Sequence, residues 1–226
     1  MPFAKPADQT AIAQALSAPR MSTYLAAAGG DVALALELYG WNARISSALM
    51  VPAHFGEVVT RNAVSDALAD LYGERWPWSP GFTASLPSPR TGYCPQHDLR
   101  ATRARHATPG KVIAELKFAF WQSMFTARHD QRLWEPRIRS LFPNAGDGNP
   151  ADLRFRIYQD LEAIRKLRNR IAHHEPIFVR DLADDLRKML DLVQLRSRSA
   201  AEWVRAMEEV GELLAQRPVR SDGAVR

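Results

Sequence analysis

Six histidines occupy positions 54, 97, 106, 129, 173 and 174, and only the last two adjoin. They stand in the run Leu167-Arg168-Asn169-Arg170-Ile171-Ala172-His173-His174-Glu175-Pro176. An imidazole exchanges its proton near neutral pH. A guanidinium presents a permanently charged fork of donors that suits phosphate oxygens. Together these groups could move a proton and stabilise a phosphoryl group as charge builds on it. On a helix, Arg170 shares a face with His173 and His174, three and four residues later. Arg168 and His173, five apart, lie about 140° around an ideal helix. They converge only if the helix is distorted or the long arginine reaches round. Cations at a helix C-terminus also stabilise its dipole, so a purely structural role stays open. Metal binding is disfavoured, because adjacent histidines diverge on a helix and no nearby Asp, Glu or Cys set completes a shell.

Other candidates are sparser. Glu57 and Arg61 are spaced to pair along one helix, and Asn62 follows directly. They read either as an ordinary intrahelical salt bridge or as supporting residues that orient the Arg-His run or contact a substrate. The aromatic run from Phe118 to Phe125 reads as core. Between Arg90 and Lys111 five cations face one acid, Asp98; a solvated segment or a salt-sensitive contact with a nucleic-acid backbone would explain the excess. Glycine-rich phosphate loops, nucleophile elbows and HExxH pairs are absent from the sequence.

The elements that must position these residues are helical. Asp31 caps a first clear run ending at Leu49, Pro52 starts a second, and Gly73 stops it. Six prolines between Trp76 and Gly110 mark one long irregular loop. Periodicity resumes after Pro109 through Phe125, then in a short piece from Gln131 to Leu141. A turn-rich connector, 144–150, leads to a long helix from Ala151 towards His173, which must break before Pro176. Helices at about 180–196 and 199–216 precede a polar tail, 217–226. No useful strand alternation or fixed-period repeat occurs. The expectation is an all-α fold: one domain over 1–216 with an irregular loop at about 76–110.

Length and composition agree with a single core. A chain of 226 residues buries roughly 70% of the surface that it exposes when unfolded. Cys94 is the only cysteine, which excludes an intrachain disulfide and fits a reducing compartment. No apolar run approaches the ~20 residues that span a bilayer, and the N-terminus lacks a signal-peptide core. A cytoplasmic protein without membrane contact is expected. Of 30 cations only five are lysine, at 5, 111, 117, 166 and 188. That arginine bias permits nucleic acid as a partner without indicating it.

The run Arg168–Pro176 closely resembles the signature of the Abi-like (abortive infection) family, within the HEPN superfamily of helical proteins. Other segments resemble the family's landmarks in the same order: Leu38-Tyr39-Gly40-Trp41-Asn42, Glu57-x3-Arg61-Asn62, Ile113 to Trp121, and Leu141-Phe142-Pro143-Asn144. Together they span about residues 16–180. One departure is Phe118-Ala119-Phe120-Trp121, where family sequences commonly read Phe-Gly-Phe-Trp.

The resemblance implies a HEPN-like helical bundle with additional N-terminal helices, dimeric, cleaving RNA without metal or other cofactor. It implies Arg168 as the catalytic arginine, Asn169 as the polar residue after it, and His173 as the catalytic histidine, with His174 as supporting or substitute. Arg170, Glu57, Arg61 and Asn62 become substrate-binding or supporting residues. A single Arg-His pair supplies one acid/base, whereas two related by a dimer axis supply two, so a composite site is expected. Expected roles are phage defence or toxicity, with an antitoxin or regulatory partner. The alternative is a non-catalytic RNA-binding or scaffolding protein of the same fold.

Overall fold

The computed structural model describes residues 8–219; of the polar tail expected at 217–226, residues 220–226 lie outside that range. Twelve α-helices succeed one another, with no strand among the described residues. They are α1 (Gln9–Leu16), α2 (Ala18–Ala27), α3 (Val32–Tyr72), α4 (Pro80–Ser85), α5 (Pro95–Arg105), α6 (Pro109–Glu115), α7 (Phe118–Ser123), α8 (Ile138–Leu141), α9 (Pro150–Ala172), α10 (Leu182–Arg196), α11 (Arg198–Met207) and α12 (Val210–Ala215). The all-α class is as the periodicity requires.

The spine is α3, 41 residues long and therefore about 60 Å end to end. Asp31 caps it by accepting the Leu34 N–H at 3.1 Å, and Gly73 ends it at φ +82°. The sequence suggests two helices meeting near Pro52; the structure has one, with Pro52 buried inside it. An internal proline costs about 3 kcal/mol through its missing N–H and its ring. Continuous packing on both sides of it offsets that cost. Small residues along the buried stripe (Ala53, Gly56, Thr60, Ala63, Ala67) admit close neighbours. At Gly56 an added Cβ would lie 3.7 Å from the Met189 carbonyl of α10.

Two contacts set the direction of α9 against this spine. Asn42 accepts the Ile177 N–H at 2.8 Å just beyond α9, and Glu57 meets Arg168 at 2.7 Å. As α3 advances from 42 to 57, its neighbour retreats from 177 to 168, so the two run antiparallel. Four tryptophans, Trp41, Trp76, Trp121 and Trp134, are fully buried around α3 and α9. Trp41 donates to the Leu213 carbonyl at 2.6 Å, fastening α12 to the spine.

The segment 76–110 corrects the expectation of a long irregular loop. It holds a 3-10 turn at Trp76–Trp78, α4, α5 and the start of α6, leaving only 79, 86–94 and 106–108 irregular. Pro80, Pro95 and Pro109 each occupy the first helical position, where no N–H is needed and φ is already set. These prolines start helices. Ser79 and Cys94 cap the first two, accepting from the Phe82 and His97 N–H groups.

The helix expected beyond Pro109 is also interrupted. Leu116 and Lys117 are extended, and the Lys117 N–H turns to the Asp98 carboxylate at 3.4 Å. Asp98 is itself buried and accepts the Tyr93 hydroxyl at 2.7 Å. That break starts α7 anew at Phe118. Likewise the piece expected at 131–141 is a π-helical turn, Asp130–Trp134, followed by α8. The helix expected at 199–216 divides into α11 and α12.

Candidate active site

The Arg-His run ends α9, and its backbone is specific. The His174 N–H donates to the Ile171 carbonyl at 2.9 Å, and the Glu175 N–H to the Arg170 carbonyl at 2.8 Å. This reciprocal pair closes a helix C-terminus around one left-handed residue, usually glycine. Here that residue is His174, at φ +55°. A side chain in this conformation costs roughly 1 kcal/mol or more. Three side chains clamp the turn. Arg20 of α2 donates to the His174 carbonyl, Arg170 donates to the Pro176 carbonyl at 2.8 Å, and Asn42 holds the Ile177 N–H. Arg170 also meets the Glu175 carboxylate at 3.2 Å. Both imidazoles stand exposed beyond the helix end, as does Asn169 on its last turn.

Arg168 lies one and a half turns earlier and faces elsewhere. Its Nη1 is 2.7 Å from Glu57 Oε2 on α3. Its guanidinium carbon sits 5.3 Å from the centre of the Phe118 ring at the start of α7, a cation–π contact worth about 0.5–1 kcal/mol. Three helices thus converge on one guanidinium. Its Nε is buried and has no hydrogen-bond partner. The same holds for Nε of Arg61, one turn along α3 from Glu57. Glu57 therefore pairs across the helices, and the i,i+4 bridge to Arg61 that its spacing suggests is not formed. Asn62 is exposed on α3.

Behind Arg168 the same helices are locked together. Arg165 donates to Gln122 Oε1 at 2.8 Å, and Gln122 donates to Glu162 at 2.5 Å. Arg165 and Lys166 pair with Glu162 at 2.9 and 3.2 Å. Partial burial pushes the Glu162 carboxyl up, but hydrogen bonds from Gln122, Arg165 and Lys166 outweigh it and hold it below the usual carboxylate range. The network fixes α7 against α9, and with it Phe118 beneath Arg168.

Of the expected site residues, the structure brings Glu57 to Arg168 and Arg170 to Glu175. No hydrogen bond or ion pair among the described residues joins Arg168 to His173 or His174. Sequence reasoning missed Phe118 as a support, reading it as core, and missed Arg20 altogether. Arg20 carries no local signal, since its partner is a backbone carbonyl 154 residues away. No group of three or more His, Cys, Asp or Glu side chains among the described residues is placed to hold a metal ion. No described helix is long and apolar enough to cross a membrane.

The arrangement can do two things. Arg168, 31% exposed and held by Glu57 and Phe118, offers a fixed cation to an anion. His173 and His174 offer solvent-facing imidazoles for proton transfer. No family model, curated protein or solved structure matches this chain.

Proposed function

We propose that the chain is a metal-independent endoribonuclease of the Abi-like, HEPN type, acting in the cytoplasm in phage defence or as a toxin. The carrying observation is Arg168, part-exposed and held by Glu57 and Phe118, on the same helix end as two exposed imidazoles. In the reaction, the ribose 2′-oxygen bonds to the adjacent phosphorus while a histidine takes its proton. The bond from phosphorus to the 5′-oxygen breaks, and a second imidazole protonates that oxygen. Products are a 2′,3′-cyclic phosphate and a 5′-hydroxyl. Arg168 stabilises the charge on the phosphoryl oxygens, and Asn169 orients the phosphate or His173.

The lack of contact between Arg168 and the histidines within one chain supports a composite site in a two-fold dimer. Arg168 of one copy then works with His173 of the other, and Arg170 of both copies lines the cleft. A second reading, a non-catalytic RNA-binding or scaffolding protein, is favoured by the same separation together with the Glu57 carboxylate that neutralises Arg168. An antitoxin or other regulatory partner that displaces Glu57 would reconcile the two.

RNA incubated with the purified protein in EDTA separates these readings. Cleavage with cyclic-phosphate ends, lost in His173→Ala, is the expected result; strict dependence on added Mg²⁺ or Mn²⁺ would overturn the mechanism. Mixing wild-type protein with increasing amounts of His173→Ala under conditions of subunit exchange tests the composite site. Cleavage should fall with the square of the wild-type fraction if one site needs an imidazole from each copy, and in direct proportion to it if each copy works alone.

A further inference from the structure

His174 does not face Arg168. Its side chain lines a separate cavity of about 300 Å³, at the lower end of the roughly 300–1,000 Å³ that small-molecule sites occupy. The wall opposite is one face of α3, where Asn42 and Ser46 are one turn apart with Ser47 beside them, and Tyr24 and Tyr39 close the end. The two tyrosine rings lie 4.9 Å apart and tilted.

The hydrogen-bonding inventory of this cavity is largely unspent. Tyr24 is only 1% exposed, and its hydroxyl makes no hydrogen bond among the described residues. Burial pushes that hydroxyl up to about 12, so it stays a neutral donor and acceptor. The hydroxyls of Tyr39, Ser46 and Ser47 likewise have no hydrogen-bond partner among the described residues. Asn42 uses its oxygen on the Ile177 N–H and keeps both amide protons. Tyr39 and Ser46 are half-buried and Ser47 and His174 exposed, so these groups meet solvent and are open to a ligand that takes the place of water. No lysine or arginine lines the cavity, and the one carboxylate at its rim, Glu175, is paired with Arg170. The occupant is therefore uncharged, rich in hydrogen-bonding edges, and flat enough to lie against tyrosine.

We infer that this cavity binds one nucleobase of a single-stranded RNA, placing the adjoining phosphodiester at the His173–His174 turn. The inference rests on the ribonuclease reading and deepens it. Single-stranded RNA is recognised by stacking unpaired bases on aromatic rings and bonding their edges; here the half-buried Tyr39, backed by Tyr24, offers the ring, and Asn42, Ser46 and Ser47 offer partners for the edges. The division of labour comes from charge. The backbone phosphate goes to the arginines, and the base goes to the neutral pocket. His174 joins them because its left-handed backbone turns its side chain towards α3 while His173 stays at the helix end.

Neutral nucleosides test the cavity apart from catalysis. The full chain is titrated with adenosine, guanosine, cytidine and uridine, with ribose and inorganic phosphate as controls, by ligand-observed NMR and thermal shift. At least one nucleoside should bind with a dissociation constant on the order of 1 mM, weak as a single fragment must be, while ribose does not bind and phosphate, which goes to the arginines, does not compete with the nucleoside. Ser46→Phe fills the cavity and should weaken binding at least about tenfold, which is about 1.4 kcal/mol. Ser47→Phe, on the exposed rim, does the same job should the first variant fold poorly. Cleavage sites mapped on random-sequence RNA should show a base preference at one position beside the broken bond, flattened in the filled variants. Nucleoside binding without any RNA cleavage would keep the pocket and remove the ribonuclease. Cleavage with no nucleoside binding, or with a base preference unchanged in the filled variants, would remove the pocket and keep the ribonuclease.

Discussion

Two arginines of α9, fourteen residues apart, show how differently one helix uses the same side chain. Near its start, Arg154 donates to both carboxylate oxygens of Asp130, at 2.8 and 3.0 Å, and to the Phe125 carbonyl at 3.4 Å. Near its end, Arg168 meets one carboxylate oxygen and an aromatic face, and its buried Nε meets nothing. Arg154 is 10% exposed and Arg168 is 31% exposed. The first fork is used up in holding the π-helical turn, whose Trp134 stacks on Phe125 at 4.3 Å. The second is held in place with capacity left over. The exposed third of the Arg168 side chain, not its buried Nε, is what an anion could reach, and Arg154 leaves almost none of itself to solvent.

The contrast is broken most severely at the architectural end. Arg154→Ala leaves the half-buried Asp130 carboxylate without its partner, a loss of about 3 kcal/mol, the lower end for a buried pair. Urea unfolding should show it as a lowered midpoint. If Arg154→Ala unfolds at the wild-type midpoint, the bidentate pair is not structural and the comparison fails. Arg168→Ala is the reverse case. It should lower the midpoint less, by about 1–2 kcal/mol for the lost Glu57 and Phe118 contacts, while cutting cleavage by about 10²–10³-fold, the usual cost of losing one transition-state donor. Glu57→Gln keeps the shape of the support and should cost less than Arg168→Ala. A variant at 168 that unfolds but retains specific activity would make Arg168 a second structural arginine.

How much of this was legible before the fold was known differs by residue. Asp31, Gly73 and Pro150 mark helix ends by local chemistry, and each end lies where its marker puts it or one residue away; α9 stops at Ala172, three residues before the break that Pro176 imposes at Glu175. Pro52 carries the same mark and is overridden, because the helix gains more from burying both halves of α3 than it loses at one turn. Pro80, Pro95 and Pro109 look like breakers in a run of prolines, yet each is a first-turn residue, a distinction decided by whether the next residues on its C-terminal side can pack as a helix. At the site, the spacing of Glu57 and Arg61 suggests an intrahelical pair that tertiary packing replaces with Arg168. Nothing local shows that an imidazole would take the left-handed position that glycine usually holds.

Acid should act first at the architectural end. His129, next to Asp130 in the chain, is 2% exposed. Burial pushes its imidazole down to about 4, with Arg128 and Arg132 acting in the same direction and Asp130 opposing. The unfolded chain, with an ordinary value near 6.5, binds that proton more readily. Stability is therefore fully present above about pH 6.5 and is lost as pH falls towards 4, by on the order of 3 kcal/mol in all. His129→Gln should flatten the dependence of unfolding free energy on pH across that window. An unchanged slope would show that other groups account for the acid sensitivity.

The smallest effect concerns the left-handed residue itself, and it separates conformation from chemistry. At φ +55° a Cβ crowds the following carbonyl, which glycine avoids. Replacing His174 by alanine removes the imidazole but keeps the Cβ, so the strain remains. Replacing it by glycine removes both. His174→Gly should therefore be more stable than His174→Ala by about 1 kcal/mol, reduced by the extra freedom that glycine gives the unfolded chain. Urea midpoints at equal slope would measure the difference. Both variants should lose nucleoside binding alike, because both empty the cavity rim of its imidazole. A glycine variant that gains stability while losing binding identifies strain retained for a functional side chain. A glycine variant less stable than the alanine variant would mean that residue 174 does not hold the left-handed conformation in solution, and the geometry that turns it towards α3 would be lost with it.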